Sequence, residues 1–210
     1  RSYFEPLDKN LPNIPTRHDA QSRVVRVNDG NDSNVERETV IAATKDFEHK
    51  FFNTAIPENL DTFDAPVVLT INPGTMIDTD FHRIHTKNMM FVRFRANTWN
   101  RKLQFKAVQY YAGLQIPTVL TFMAYFETAD KIPIDHQANY IFRKRTLNHY
   151  WAITSKAWRE IMRSYEDTPY EKWVYSCGKI EGEAGTSACR YCGNCLWEYY
   201  ATLERMRKGG

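Results

Sequence analysis

The stretch MMFVRFRANTWNRKLQFKAVQYYAGLQIPTVLTFMAYF, residues 89–126, decides the fold. Its apolar run at 89–95 reads as a strand. Asn97-Thr98-Trp99-Asn100 follows, with short polar side chains of the kind that cap a helix N-terminus. Leu103, Ala107, Val108, Tyr111 and Leu114 then recur at steps of three and four, so one helix face is apolar while Arg101, Lys102 and Lys106 stay in water. Gly113 weakens this helix near its end and Pro117 forbids its continuation, after which residues 118–126 read as another strand. Two buried-type strands joined through a helix require a right-handed parallel crossover, so the expected class is α/β with a parallel sheet. Ligands of such sheets collect at the C-terminal strand edges. That places Asn72, Thr75, Arg95 and Asn97 as candidate cofactor-binding residues, with Tyr125 nearby.

Outward from this unit, residues 66–71 form a short apolar strand closed by the turn signal Asn72-Pro73-Gly74-Thr75. Further upstream, Val40, Ile41, Phe47, Phe51 and Phe52 fall at roughly helical spacing and predict a helix over 38–53 that stops before Pro57. Residues 1–36, with NDGNDSN at 28–34, lack periodicity and read as an arm lying over the domain. Downstream, Tyr150, Ala157, Trp158, Ile161, Met162 and Tyr165 predict a second amphipathic helix. Residues 172–176 predict a strand running into Cys177, and 195–207 predict a last helix with Leu196, Tyr199, Tyr200 and Leu203 on one face. The chain thus divides into an arm and helix (1–60), an α/β domain (61–176), and a four-cysteine segment with its helix (177–210).

At 210 residues the chain suits one domain with a sizeable core. A hydrophobic share of 42% and an aromatic share of 14% exclude wholesale disorder. A formal net charge of +3 permits nucleic acid or an acidic surface as partner without requiring either. The sequence has no run of about 18 apolar residues, and residues 1–10 lack a signal-peptide core. The expectation is a soluble cytoplasmic protein with no membrane partner.

Every cysteine lies near the C-terminal end, in the pattern C-x11-C-x2-C-x2-C formed by Cys177, Cys189, Cys192 and Cys195. A disulfide framework would be spread over the fold, so thiolate chemistry in a reducing compartment is the better reading. A trio at two-residue spacing can wrap three corners of a cube-like cluster while the distant cysteine supplies the fourth, which fits a [4Fe–4S] centre. Zinc also accepts four thiolates, though its sites are more often two separated C-x2-C knuckles. Both metals stay open at this point, with the cluster preferred. Gly178, Gly182, Gly185 and Gly193 supply turns that free backbone amides for sulfur.

The segment CGKIEGEAGTSACRYCGNCLW, residues 177–197, resembles the C-terminal signature of the phage "gene product eighty-eight" family, in which one cysteine precedes a close trio and an aromatic. Residues 89–126 are similar to the strand, polar turn, helix and strand of the same proteins, whose fold resembles the partial barrel of radical-SAM enzymes. The resemblance spans about residues 66–200 and is specific only in the cysteine segment. It implies a radical-SAM-like scaffold, a bacteriophage source and the host cytoplasm as setting. Radical-SAM enzymes hold their catalytic cluster with an N-terminal C-x3-C-x2-C that leaves one iron open. Here no cysteine precedes Cys177, and four would saturate the core. An auxiliary-type centre fits better than SAM cleavage.

Three other groups stand out. Asp78, Asp80, His82 and His85 in DTDFHRIH could gather a second metal or an acid–base pair, or be solvated loop residues. Arg93 and Arg95 alternate on one strand face, where they either neutralise an anion or pair with nearby acids. Asn97 and Asn100 either orient a ligand or cap the helix. Two functions from different classes follow. One is an iron–sulfur protein in redox or electron transfer, or a catalytically degenerate relative of radical-SAM enzymes. The other is a zinc-stabilised module binding nucleic acid or a host protein, which would use the basic runs Arg143-Lys144-Arg145 and Arg205-Met206-Arg207-Lys208.

Overall fold

A computed structural model describes residues 20, 23–28, 31–73, 86–126, 128–144, 149–178 and 192–208. Its elements in chain order are β1 (Val25–Val27), α1 (Arg37–Ala43), β2 (Lys50–Thr54), β3 (Val67–Ile71), β4 (Met89–Ala96), α2 (Arg101–Gly113), β5 (Thr118–Phe122), β6 (Tyr125–Phe126), β7 (Tyr140–Arg143), β8 (Tyr150–Ile153), α3 (Ser155–Arg163), β9 (Val174–Ser176) and α4 (Asn194–Lys208). Strands β1, β2, β3, β4, β5 and β9 form one six-stranded sheet in that spatial order, and every neighbouring pair is parallel. The α/β class and the parallel crossover through α2 are therefore as the sequence predicts. Among the described residues, the strands of this sheet follow chain order from one edge to the other, without the reversal of order that makes a doubly wound crevice. Function in such an arrangement collects at the strand C-terminal ends.

Two expectations for the first third of the chain are corrected. Val25–Val27 is a strand paired with β2, so the reading of residues 1–36 as an arm fails there. The predicted helix over 38–53 is a seven-residue helix, α1, followed by a strand. The Thr44 hydroxyl donates to the Val40 carbonyl (2.8 Å) at the end of α1, where the chain turns. All five β2 residues, Lys50 included, are buried. Lys50 is tolerated because its Nζ donates to the Thr44 carbonyl (3.1 Å) and pairs with Asp64 (2.8 Å).

The downstream half needs smaller corrections. The strand expected over 118–126 breaks after Phe122. Met123 N–H donates to the Ala96 carbonyl (3.0 Å), and Tyr125–Phe126 joins a separate antiparallel sheet in the order β6, β8, β7. Tyr150, expected on a helix, lies in β8. The helix begins only after Thr154, whose hydroxyl accepts from Ala157 N–H (3.2 Å) as an N-cap.

The main core lies on one face of the six-stranded sheet. Phe52, Leu69, Val92, Phe94 and Leu120 meet Ala107, Val108 and Tyr111 of α2 and Trp158 and Ile161 of α3 there. The opposite face carries a second, smaller core of Phe51, Val68, Met90, Phe91 and Val119, which Tyr199 of α4 covers with Leu203 packed beside it. A bulge at Met90 lets Met90 and Phe91 join this face, since Val67 pairs with Met89 and Val68 with Phe91.

Candidate metal centre and the polar face beside it

Parallel register fixes what the second face presents. Thr70, Arg93, Val119 and Tyr175 are successive partners across β3, β4, β5 and β9, and Arg95 pairs with Thr121 one step nearer the strand C-termini. Helix α4 packs against the apolar rows at the N-terminal half of this face. The polar rows beyond it belong to the end where parallel sheets place their sites.

Helix α4 is held down by an ion pair as well as by apolar packing. Arg205 Nη2 donates to the carbonyls of Met90 (3.1 Å) and Met89 (3.5 Å), the backbone of the β4 bulge, and to Thr202 Oγ1 (2.9 Å). Its Nη1 lies 3.8 Å from Glu198, which is 8% exposed. Burial pushes the Glu198 carboxyl above the usual carboxylate range, although the adjacent Arg205 guanidinium opposes the shift. Arg205 is thus committed to the sheet and does not extend the basic tail. Of the four apolar residues expected on one face of this helix, Tyr199 is buried and Leu203 is packed, while Leu196 and Tyr200 are exposed, as is Trp197.

The cysteine segment is clasped at both ends. Cys177 follows β9 directly, and its N–H extends the ladder to the Leu120 carbonyl (2.8 Å). Gly178 N–H donates to Cys192 Sγ (3.3 Å), and Asn194 Nδ2 donates to the Ser176 carbonyl (3.0 Å), so the start of α4 is tied to the end of β9. Gly193 takes φ +74° just before α4. A Cβ there would meet nothing within 4 Å, so the backbone conformation and not a shortage of room calls for glycine. Cys177, Cys192 and Cys195 line one cavity of about 230 Å³, together with Phe91, Arg93 and Val119, and none is in a disulfide. Cys189, the fourth predicted ligand, lies outside the described residues.

A thiol set of this kind suits iron or zinc chemically. Four sulfurs at about 2.3 Å from one zinc ion stand about 3.8 Å from one another. Among the described residues, no group of three or more His, Cys, Asp or Glu side chains is arranged to hold a single ion. Cys195 lies in the first turn of α4, where the helix dipole favours the negative charge of a thiolate-ligated core. The amide of Gly178 directed at sulfur supplies the outer support such ligands need.

The candidate cofactor residues separate. Arg95 lines a second, polar cavity of about 310 Å³, and Arg93 lines both cavities. Asn97 is drawn into a turn. Its Oδ1 accepts from Asn100 N–H (2.8 Å) and Trp99 N–H (3.1 Å), while its own N–H donates to Asn100 Oδ1 (3.0 Å). Asn100 stands at the N-cap position of α2 without making a side-chain cap. Its carboxamide instead accepts from Asn97 N–H and Gln104 Nε2 and donates to the Arg95 carbonyl. Asn72 sits just past β3, and neither cavity's described lining includes it. Thr75, Asp78, Asp80, His82 and His85 lie outside the described residues. The polar cavity also draws on Arg26, Asp32 and Asn53, which the sequence reading passed over because β1 and β2 went unrecognised. The alternation Val25-Arg26-Val27 was the available signal.

No helix among the described residues is long and apolar enough to cross a membrane. Comparison of the chain with protein-family models, curated proteins and solved structures returns no match.

Proposed function

We propose that this chain is an iron–sulfur protein whose Cys177, Cys189, Cys192 and Cys195 hold a [4Fe–4S] cluster at the C-terminal end of the sheet, and that it serves one-electron transfer. The observation that carries the reading is the convergence of Cys177, Cys192 and Cys195, from β9 and from the start of α4, on one cavity. The sequential, all-parallel strand order supports a partial barrel of the radical-SAM kind. Membership of the phage "gene product eighty-eight" family, with the host cytoplasm as setting, rests on the resemblance of the cysteine segment. When bound, the cluster supplies reversible one-electron redox chemistry. The chain's own groups then have definite tasks. Four thiolates saturate the core and leave no iron for SAM, the Gly178 amide steadies a sulfur, and Phe91 and Val119 keep water from one side of the cavity.

Anaerobic purification followed by iron, sulfide and zinc counts and a visible spectrum tests this. The expected result is about four irons and four sulfides per chain, with broad visible absorbance. Stoichiometric zinc without iron would assign the same thiolates to a structural zinc site, and the absence of both metals would remove the centre. A cluster that cannot be reversibly reduced by one electron would leave the centre but remove the electron-transfer role.

A further inference from the structure

The Cys192 sulfur is held against the backbone next to Cys177. Gly178 N–H donates to it (3.3 Å), and Gly178 follows Cys177 directly, so Cys192 Sγ stands within about 6 Å of the Cys177 Cα. Both side chains line the same cavity, both are partly exposed, and neither is in a disulfide. Disulfide partners have Cα atoms about 4.4–6.8 Å apart, and a sulfur already this close to its partner's backbone is within the reach that such a bond needs.

A second, independent bond keeps the two segments together. Asn194 Nδ2 donates to the Ser176 carbonyl (3.0 Å), so residues 176 and 178 on one segment are tied to 194 and 192 on the other and bracket the pair. Cys177 is fixed from its other side, where its N–H donates to the Leu120 carbonyl (2.8 Å). Loop closure favours the same pair. The ring between Cys177 and Cys192 spans about fifteen residues, and closing it restricts the unfolded chain far more than closing the short ring between Cys192 and Cys195.

From these contacts we infer that Cys177 and Cys192 form a reversible disulfide with each other on reaction with a small-molecule disulfide of the oxidised glutathione kind, and that the bridge displaces any metal the thiols hold. One cysteine thiolate attacks the reagent, forming a mixed disulfide and releasing the first glutathione. The other attacks the protein sulfur of that mixed disulfide and releases the second. Two cysteine sulfurs are oxidised, two glutathione sulfurs are reduced, and the two cysteine protons end on the glutathione thiols. The centre then lacks two of its ligands, so oxidation empties it. This last step rests on the metal centre proposed above, whereas the bridge rests only on the two clasped segments.

Two anaerobic preparations of the full chain test it, one as purified and one stripped of metal with a chelator. Each is equilibrated with mixtures of reduced and oxidised glutathione and quenched with acid, after which the remaining thiols are alkylated and the cross-linked peptides mapped. The expected result is a Cys177–Cys192 bridge in the stripped chain, with Cys189 and Cys195 alkylated. In the chain as purified, metal should be released in step with the same bridge. Asn194→Ala removes one side of the clasp while Tyr199 and Arg205 still anchor α4, and it should need an about fivefold more oxidising glutathione mixture for half-oxidation. Cys195→Ser should leave the bridge in place. Three results would overturn the inference. These are no bridge at about 10 mM oxidised glutathione, a predominant bridge from Cys192 to Cys195 or to Cys189, or Asn194→Ala oxidising in the same mixture as the parent. Metal retained by the bridged chain would overturn the displacement. A chain that carries no metal as purified would remove the centre alone, because the stripped preparation still decides the bridge.

Discussion

Arg205 shows how much one side chain can decide. In the sequence it belongs to a basic run, whose simplest reading is a wet face or a phosphate-tracking tail. In the fold its guanidinium is taken up by two carbonyls of the β4 bulge, a threonine hydroxyl and Glu198. The pair has a definite pH signature. The folded chain takes up the Glu198 proton at a higher pH than the unfolded chain, because burial raises its pKa. Ionised Glu198 therefore subtracts stability at neutral pH, and that cost fades as pH falls through the raised pKa. Arg205→Met removes the partner that opposes the shift. Urea unfolding should show a loss of about 2 kcal/mol at pH 7, less than for a fully buried pair because Arg205 is partly open to water. The gap between variant and parent should narrow as pH approaches about 4, where Glu198 is protonated in the folded variant and in the unfolded chain. A gap that stayed constant with pH would mean that Arg205 acts through the bulge carbonyls alone.

At the scale of the element, α4 is the piece whose docking the site depends on, and Tyr199 is its principal anchor. At 2% exposure it packs over the second core. Tyr199→Ala should cost about 3 kcal/mol in a denaturant titration, as for other large-to-small core changes, and Tyr199→Phe, which keeps the ring, about 1 kcal/mol. Equal costs for the two would place the energy in the hydroxyl instead of the packing. This anchor was legible as part of a helical stripe, and so were β3, β4, α2 and β5, because each shows a clean period or a short apolar run bounded by Gly, Pro or Asn. Strand β2 was not legible. KFFNT is buried on both sides, so the alternation that marks a half-buried strand is absent, and its phenylalanines continue the helical spacing of Val40 and Ile41. The break at Met123 was hidden for a related reason. A run of apolar residues does not say which of two sheets each part joins.

For the whole molecule, the arrangement of sites follows from the order of strands. Six parallel strands laid down in sequence send all their C-terminal ends to one edge, and β9 and α4 bring the thiols to the β9 side of it. The polar cavity occupies the β1 side, and Arg93 in the middle belongs to both. The sequence disclosed the thiol half because cysteines are few and their spacing is informative. The arginine half depends on strands distant in sequence that only the sheet brings together. If a metal core ties the end of β9 to the start of α4, its loss should loosen those elements and spare the far side of the sheet, since ligation is coupled to folding of the segment that supplies the ligands. Cys192→Ser, compared with the parent by metal analysis and hydrogen exchange, checks this. The variant should lose its metal, and amides over residues 192–208 should exchange at least about tenfold faster while β2, β3 and α2 stay protected. Full metal content in the variant would remove Cys192 from the ligand set. Metal loss with unchanged exchange would show that Tyr199 and Arg205 hold α4 to the sheet without help from the centre.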